Sequence, residues 1–275
     1  MEIQKSSAPA AYLAFEKDGW SARIAGYNNT FAAVTGQSVH ATLDAARVVP
    51  GAKVLDLCCG PGGLAAAALQ RGAVAVGLDF PGVVDLAARN VPGAVFVAGD
   101  ANDLPFPDAT FDAVVCGYGL MHVPDAEQAM REMLRVLRPG GRAAMTVWDN
   151  ETSSGLGAAF KTMMEHADMN VPMPHGPSIF QFSALAKMRA TLDGLGFVST
   201  DATRFAQSWR VRSGREFLDA LVEGTVRMRA LIAHQSEDTV AKVVAAFERE
   251  MAEARSADGG FVLPMPAIIG SGSKP

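Results

Sequence analysis

The sequence predicts an α/β fold in which a largely parallel sheet is covered by helices on both faces. Three observations carry that expectation. Between Lys53 and Trp148, short apolar runs of strand character alternate with helix-patterned segments. Pro-Gly or Gly-Gly punctuation precedes the first and fifth of these runs, and a glycine-dense turn directly follows the first. Strands spaced by helices imply βαβ units, and right-handed crossovers leave few ways of ordering them.

The elements follow in order. Residues 8–47 read as two or three helices, including Leu43–Val48, and make residues 1–47 a helical lid. Val49-Pro50-Gly51-Ala52 is a stop signal. The core unit, 48–150, then runs as strand Lys53–Leu57, helix Leu64–Arg71, strand Ala73–Leu78, helix Gly82–Asn90 and strand Ala94–Ala98. Strand Asp112–Gly117, helix Asp125–Leu137, a second stop at Leu137-Arg138-Pro139-Gly140-Gly141 and strand Arg142–Val147 complete it. Residues 151–195 form an insertion with a Met/Pro-rich stretch (Met163, Met164, Met169, Met173) and a helix at 183–195. Flexible thioethers suit irregular apolar ligands, so this stretch is expected either to overhang the site or to form the core of a helical cap. Residues 196–275 read as a strand (Phe197–Trp209), a helical insertion at about 214–255 and a closing strand (Phe261–Gly270).

Bulk properties exclude several functions. With 275 residues, 49% of them apolar, the chain can bury a large core. A net charge of −5 and the lack of a dense Lys/Arg block argue against nucleic-acid binding. The loose arginine series from Arg204 to Arg229 reads as solvated surface, with an anchor for an acidic substrate as the alternative. No apolar run reaches the roughly 18 residues of a membrane span, and the N-terminus resembles no secretory leader. Three cysteines, two of them adjacent (Cys58, Cys59), cannot pair fully. They read as buried small side chains in a cytoplasmic protein, and no metal site is expected. A homodimer is compatible with these properties.

The sharpest segment is Val54-Leu55-Asp56-Leu57-Cys58-Cys59-Gly60-Pro61-Gly62-Gly63. Glycines between a strand and a helix permit unusual backbone angles and close approach of a ligand. Their spacing, with Asp79 after the second strand, also satisfies the dinucleotide fingerprint. Charge separates the alternatives. A pyrophosphate wants positive potential over the glycines, and Asp56 would repel it. The same carboxylate suits the ammonium of a methionine moiety. Asp79 ends the second strand, where its oxygens can accept ribose hydroxyls, and Asp100 ends the third, near an adenine amino group.

Together, Val54–Gly63, Gly77-Leu78-Asp79, Gly99–Phe106, Phe111–Val115 and Leu134–Gly141 resemble the small-molecule class I methyltransferases. That family includes the ubiquinone/menaquinone-type C-methyltransferases. The resemblance implies a Rossmann-like, seven-stranded, mostly parallel sheet of order 3-2-1-4-5-7-6, its last strand antiparallel and supplied by Phe261–Ile269 beside Phe197–Trp209. It implies S-adenosyl-L-methionine as cofactor and transfer of its methyl group to O, N or C of a small molecule, expected to be largely apolar or aromatic. The glycine loop falls on Gly60 and Gly62, the methionine-binding acid on Asp56, the ribose acid on Asp79 with Phe80 beside it, and adenine contacts on Asp100 and Ala101. Cys116 to Leu120 would face the methyl group and methionine tail, and Tyr27 would cover the methionine carboxylate. At Cys58, a further expected cofactor contact, the family usually has glycine, so this turn is expected to be remodelled.

Methyl transfer needs a base only when the nucleophile arrives protonated. His122, Tyr118 and Asp149 are the candidates, with His122 alternatively bonding Asp125 and capping the next helix. A non-catalytic cofactor-binding regulator and an NAD-dependent oxidoreductase remain as other functions.

Overall fold

A computed structural model describes residues 7–275; the first six residues of the expected lid lie outside the described residues. The lid is α1 (Ser7–Asn29), α2 (Ala32–Thr35) and α3 (Val39–Ala45). α3 ends earlier than the expected Leu43–Val48 because Arg47 takes a left-handed φ of 53°. The core alternates as expected: β1 (Lys53–Leu57), α4 (Gly63–Gln70), β2 (Val74–Asp79), α5 (Pro81–Asn90), β3 (Val95–Ala98), β4 (Phe111–Gly117), α6 (Ala126–Val136) and β5 (Leu137–Trp148). β5 begins before the expected Arg142. The Arg138–Gly141 stretch is a bulge inside the strand, where a Cβ on Gly141 would stand 2.9 Å from the Arg138 and Asp112 carbonyl oxygens.

Downstream come α7 (Gly155–His166), α8 (Leu185–Gly194), β6 (Val198–Phe205), β7 (Ser208–Val211), α9 (Gly214–Gly224), α10 (Val226–Ile232), α11 (Glu237–Glu250), β8 (Phe261–Pro264) and β9 (Ala267–Ser273). The seven-stranded sheet has the order β3-β2-β1-β4-β5-β9-β6, with β9 antiparallel to both neighbours. This is the expected topology. Each of the two expected C-terminal strands is nevertheless split in two. β6 and β9 lie in the main sheet, while β7 and β8 form a separate two-stranded ribbon. Both strands change sheets at one corner, where Met265 N–H donates to Gln207 O at 2.9 Å. Pro264 and Pro266 flank it, and proline cannot extend a ladder.

Period-two alternation decides the faces. Val54, Ala113, Val115 and Ala144 pack with Leu43 of α3 and Leu64, Ala65 and Ala68 of α4. Leu55, Val114, Cys116 and Met145 face the other way, with Met130 and Met133 of α6 and Met188 and Leu192 of α8. The second core continues into a cap in which Phe217 of α9 stacks on Phe247 of α11 at 5.0 Å. The Met/Pro-rich stretch belongs to this cap. α7 packs against α11, Met163 is fully buried, and no residue of 151–195 lines the central cavity. It does not line the cavity; Met163 packs into the core of the cap, while Met164 and Met169 are exposed. No described helix is long and apolar enough to cross a membrane.

Candidate functional site

A cavity of about 380 Å³ opens where β1, β2, β3 and β4 end, between the glycine turn and the lid helix α1. β1 leaves the sheet through Cys58, Gly60 and Gly62, all in the left-handed region at φ 54°, 52° and 91°. A Cβ on Gly62 would meet Val91 Cγ2 at 2.9 Å and Phe96 Cζ at 3.3 Å, so glycine is required there on both counts. Cys58 keeps the turn at the position where glycine was expected and bears a strain of roughly 1–2 kcal/mol.

Three acids meet at this mouth. Asp56 is 1% exposed; its Oδ2 accepts the Ala65 N–H at the start of α4 at 2.9 Å, and its Oδ1 has no partner among the described residues. Burial pushes its carboxyl well above the usual range, only partly opposed by the Ala65 bond, and the charge of Asp79 adds to the rise. Asp79 accepts Gly60 N–H at 2.9 Å and Phe80 N–H at 2.7 Å, tying the second strand's end to the glycine turn. Asp100 accepts Asn102 N–H at 2.9 Å. All three line the cavity, as do Tyr27, Cys58, Gly60, Gly62, Phe80, Ala101, Tyr118 and His122.

Cys116 does not. It is fully buried beneath the floor, beside Cys58, and that thiol neighbour together with burial raises the Cys58 thiol well above its ordinary value. Tyr118 is also not available as a base. Its hydroxyl bonds Ser38 Oγ at 3.0 Å and accepts from Gln207 Nε2 at 2.8 Å, and burial pushes it further up. Its ring forms cavity wall, 4.4 Å from the Trp148 ring. Asp149 is fully buried away from the cavity, bonded to Arg204 Nε at 2.8 Å. His122 does not cap α6; Asp125 does, accepting Gln128 N–H at 2.9 Å. His122 Nδ1 instead lies 3.1 Å from Glu16 Oε2 on the lid.

Sequence reasoning missed Glu16, Ser38, Trp148 and Gln207. The one legible signal was the spacing of Glu16 and Trp20, one helical turn apart on α1, where Trp20 Nε1 donates to Glu16 at 2.8 Å. Tyr27 stacks on Phe31 at 5.9 Å and shares a hydrogen bond with Thr35 Oγ1 at 2.9 Å. Burial pushes its hydroxyl up to about 12.

Burial raises Asp79 to about 6 from 3.8, opposed by its two backbone donors and by nearby His122. Between those values the folded chain holds a proton that the unfolded chain has released, so this group's contribution to stability is fully present below the lower value. It is lost as pH rises through about 6. In Asp79→Asn this pH-dependent part of the thermal midpoint should disappear. A ligand accepted by the ionised carboxylate should conversely bind more weakly below about pH 6, as calorimetric titration across that range would show.

Comparison with known proteins adds to this geometry. Residues 55–145 match the family model for a methyltransferase domain. A demethylmenaquinone methyltransferase from Beutenbergia cavernae is 48% identical over 103 residues, which are 37% of this chain and 43% of that protein. The chain spans about half the length of the curated relatives it matches. Among solved structures, the YcgJ protein from Bacillus subtilis aligns with a TM-score of 0.59 at 20% identity, over 86% of this chain and 98% of that one. Phosphoethanolamine N-methyltransferase 2 from Haemonchus contortus, solved with S-adenosylhomocysteine, aligns with a TM-score of 0.53 at 18% identity, over 87% of this chain and 52% of that one. At these identities the structural likeness is one of fold. Residues 55–145 thus match a methyltransferase-domain model, within a chain whose sheet has the Rossmann-like fold of these methyltransferase structures.

Proposed function

We propose that this chain is an S-adenosylmethionine-dependent methyltransferase acting on a largely apolar or aromatic small molecule. The observation that carries the reading is Asp56. Its Oδ2 occupies an N–H at the start of α4, and its Oδ1 is buried against the cavity without a partner. A buried, unpartnered acceptor is costly unless a ligand brings donors, and an ammonium brings three. A dinucleotide would need that helix start for its pyrophosphate, and here a carboxylate stands on it. NAD is disfavoured for that reason.

On this reading Asp56 holds the methionine ammonium, Asp79 the ribose hydroxyls, and Asp100 and Ala101 the adenine, with Gly60, Gly62, Cys58 and Phe80 completing the cradle and Tyr27 closing the methionine end. When bound, S-adenosylmethionine supplies an electrophilic methyl group on a sulfonium. The chain's own task is to align the acceptor and exclude water. Leu13, Trp20 and Ile24 of α1 cover the cavity, and Trp20, Tyr27, Phe31 and Trp148 give the acceptor an aromatic wall. Such a wall suits a quinone-type acceptor, the class named for the demethylmenaquinone relative. His122 is the base where the acceptor arrives protonated.

Calorimetric titration tests the reading. S-adenosylhomocysteine is expected to bind with micromolar affinity and NAD not to bind. Micromolar NAD binding without a response to S-adenosylhomocysteine would overturn it. Homocysteine release across a hydroquinone and phenol panel then identifies the acceptor.

A further inference from the structure

Glu16 is a carboxylate with no exposed surface, placed in the middle of the lid helix. Such a group is expensive to bury unless it is paired and fully hydrogen-bonded. Its three donors come from three different elements. Oε2 takes Trp20 Nε1 at 2.8 Å, from α1 itself, and lies 3.1 Å from His122 Nδ1, in the turn after β4. Oε1 takes Arg227 Nε at 3.1 Å, from α10. Arg227 in turn donates to the Pro177 carbonyl at 2.6 Å, to Met121 O at 3.3 Å and to the Tyr12 hydroxyl. Burial lowers its guanidinium to about 10.

A carboxylate that already accepts from an indole and a guanidinium has no proton to give, so His122 Nδ1 must be the donor. In the neutral ring that fixes the tautomer and leaves Nε2 as the lone-pair nitrogen. Nε2 makes no hydrogen bond among the described residues, on a side chain that lines the cavity. The Trp20 ring, edge-on at 4.9 Å, holds the imidazole plane.

We infer that Glu16 is a positioning residue that makes His122 a base, and that the acceptor therefore carries its nucleophile as an O–H or N–H group. This rests on the methyltransferase reading above. In the step, the acceptor's O–H bond breaks and its proton passes to His122 Nε2. The electron pair stays on oxygen and forms the bond to the methyl carbon, while the sulfur keeps the pair of the broken C–S bond. The proton later leaves to solvent. Because Glu16 belongs to α1, the base is oriented only when the lid is docked.

The test reads the tautomer directly, from the ring nitrogen resonances of the protein labelled with ¹⁵N-histidine and saturated with S-adenosylhomocysteine. His122 is assigned by its loss in His122→Gln. The wild type should show Nδ1–H with Nε2 unprotonated, and Glu16→Ala should lose that preference. With a hydroquinone acceptor, Glu16→Ala should lower kcat by about tenfold, a part of what a general base supplies, with KM little changed. Glu16→Gln, which preserves the shape but keeps only one acceptor oxygen, stands in if the alanine variant does not fold, and should show a smaller loss of kcat in the same direction. An Nε2–H tautomer in the wild type, an unaltered kcat in the folded variant, or equal turnover of a tertiary amine would each overturn the inference. S-adenosylhomocysteine binding is measured separately, so a wild type that fails to bind it counts against the methyltransferase reading and leaves the tautomer result standing by itself.

Discussion

Asp79→Ala should weaken S-adenosylhomocysteine binding by about 1–3 kcal/mol, the cost of losing a charged hydrogen-bond partner, or roughly 5- to 150-fold in Kd. Two losses combine. The carboxylate accepts a ligand hydroxyl pair in the proposed complex, and it also holds the Gly60 N–H at 2.9 Å. Alanine removes both, freeing the glycine turn as well as the ligand contact. Asp79→Asn separates them, because an amide oxygen can still take the Gly60 N–H while the charge is gone. Asparagine should therefore fall between wild type and alanine. Calorimetry on the three proteins checks the order, and equal affinity for all three would remove Asp79 from the ribose role.

Gly119→Ala should cost about 1–3 kcal/mol or more of stability, the range for overpacking a tight interior. The added Cβ would stand 2.3 Å from Cys58 Cβ and 2.9 Å from Cys116 Sγ. Cys58 Cβ is anchored to a left-handed backbone and cannot swing aside. Replacing Cys58 by glycine removes that atom and releases roughly 1–2 kcal/mol of left-handed strain, at a cost of about 0.5–1 kcal/mol in chain entropy. Cys58→Gly alone should thus be near neutral in stability, and in combination it should rescue most of the Gly119→Ala loss. Denaturant unfolding of the two single variants and the double variant measures the coupling. Strict additivity would show that this contact does not restrict position 119.

Much of the sheet was legible because its signals are local. The Lys53–Leu57 strand coincides with β1, since an apolar run bounded by Val49–Ala52 and by glycines leaves little freedom. Asp56, Asp79 and Asp100 were legible for the same reason, each closing a strand at one edge. What failed depends on contacts that sequence distance hides. The Glu16–His122 bond joins residues 106 positions apart, and nothing near either announces the other. Cys116 was placed in the site from its position at a strand end, yet its side chain is fully buried beside Cys58 and does not line the cavity. In the closing segment, Phe261–Gly270 looked like one strand because its apolar character continues through the corner. Pro264 and Pro266 were the available sign that it bends into two.

The placement of β9 between β5 and β6 has a consequence for how the chain acquires its shape. β1 to β5 can assemble in order of synthesis, each new strand joining an edge already present. β6 cannot: its partner leaves the ribosome only after α9, α10 and α11. Until then the β5 edge and β6 both expose unpaired backbone, and pairing across so long a loop is slow. The half of the sheet that carries the glycine turn is thus complete early, while the other half waits with open edges, the form in which nascent chains aggregate and chaperones bind them.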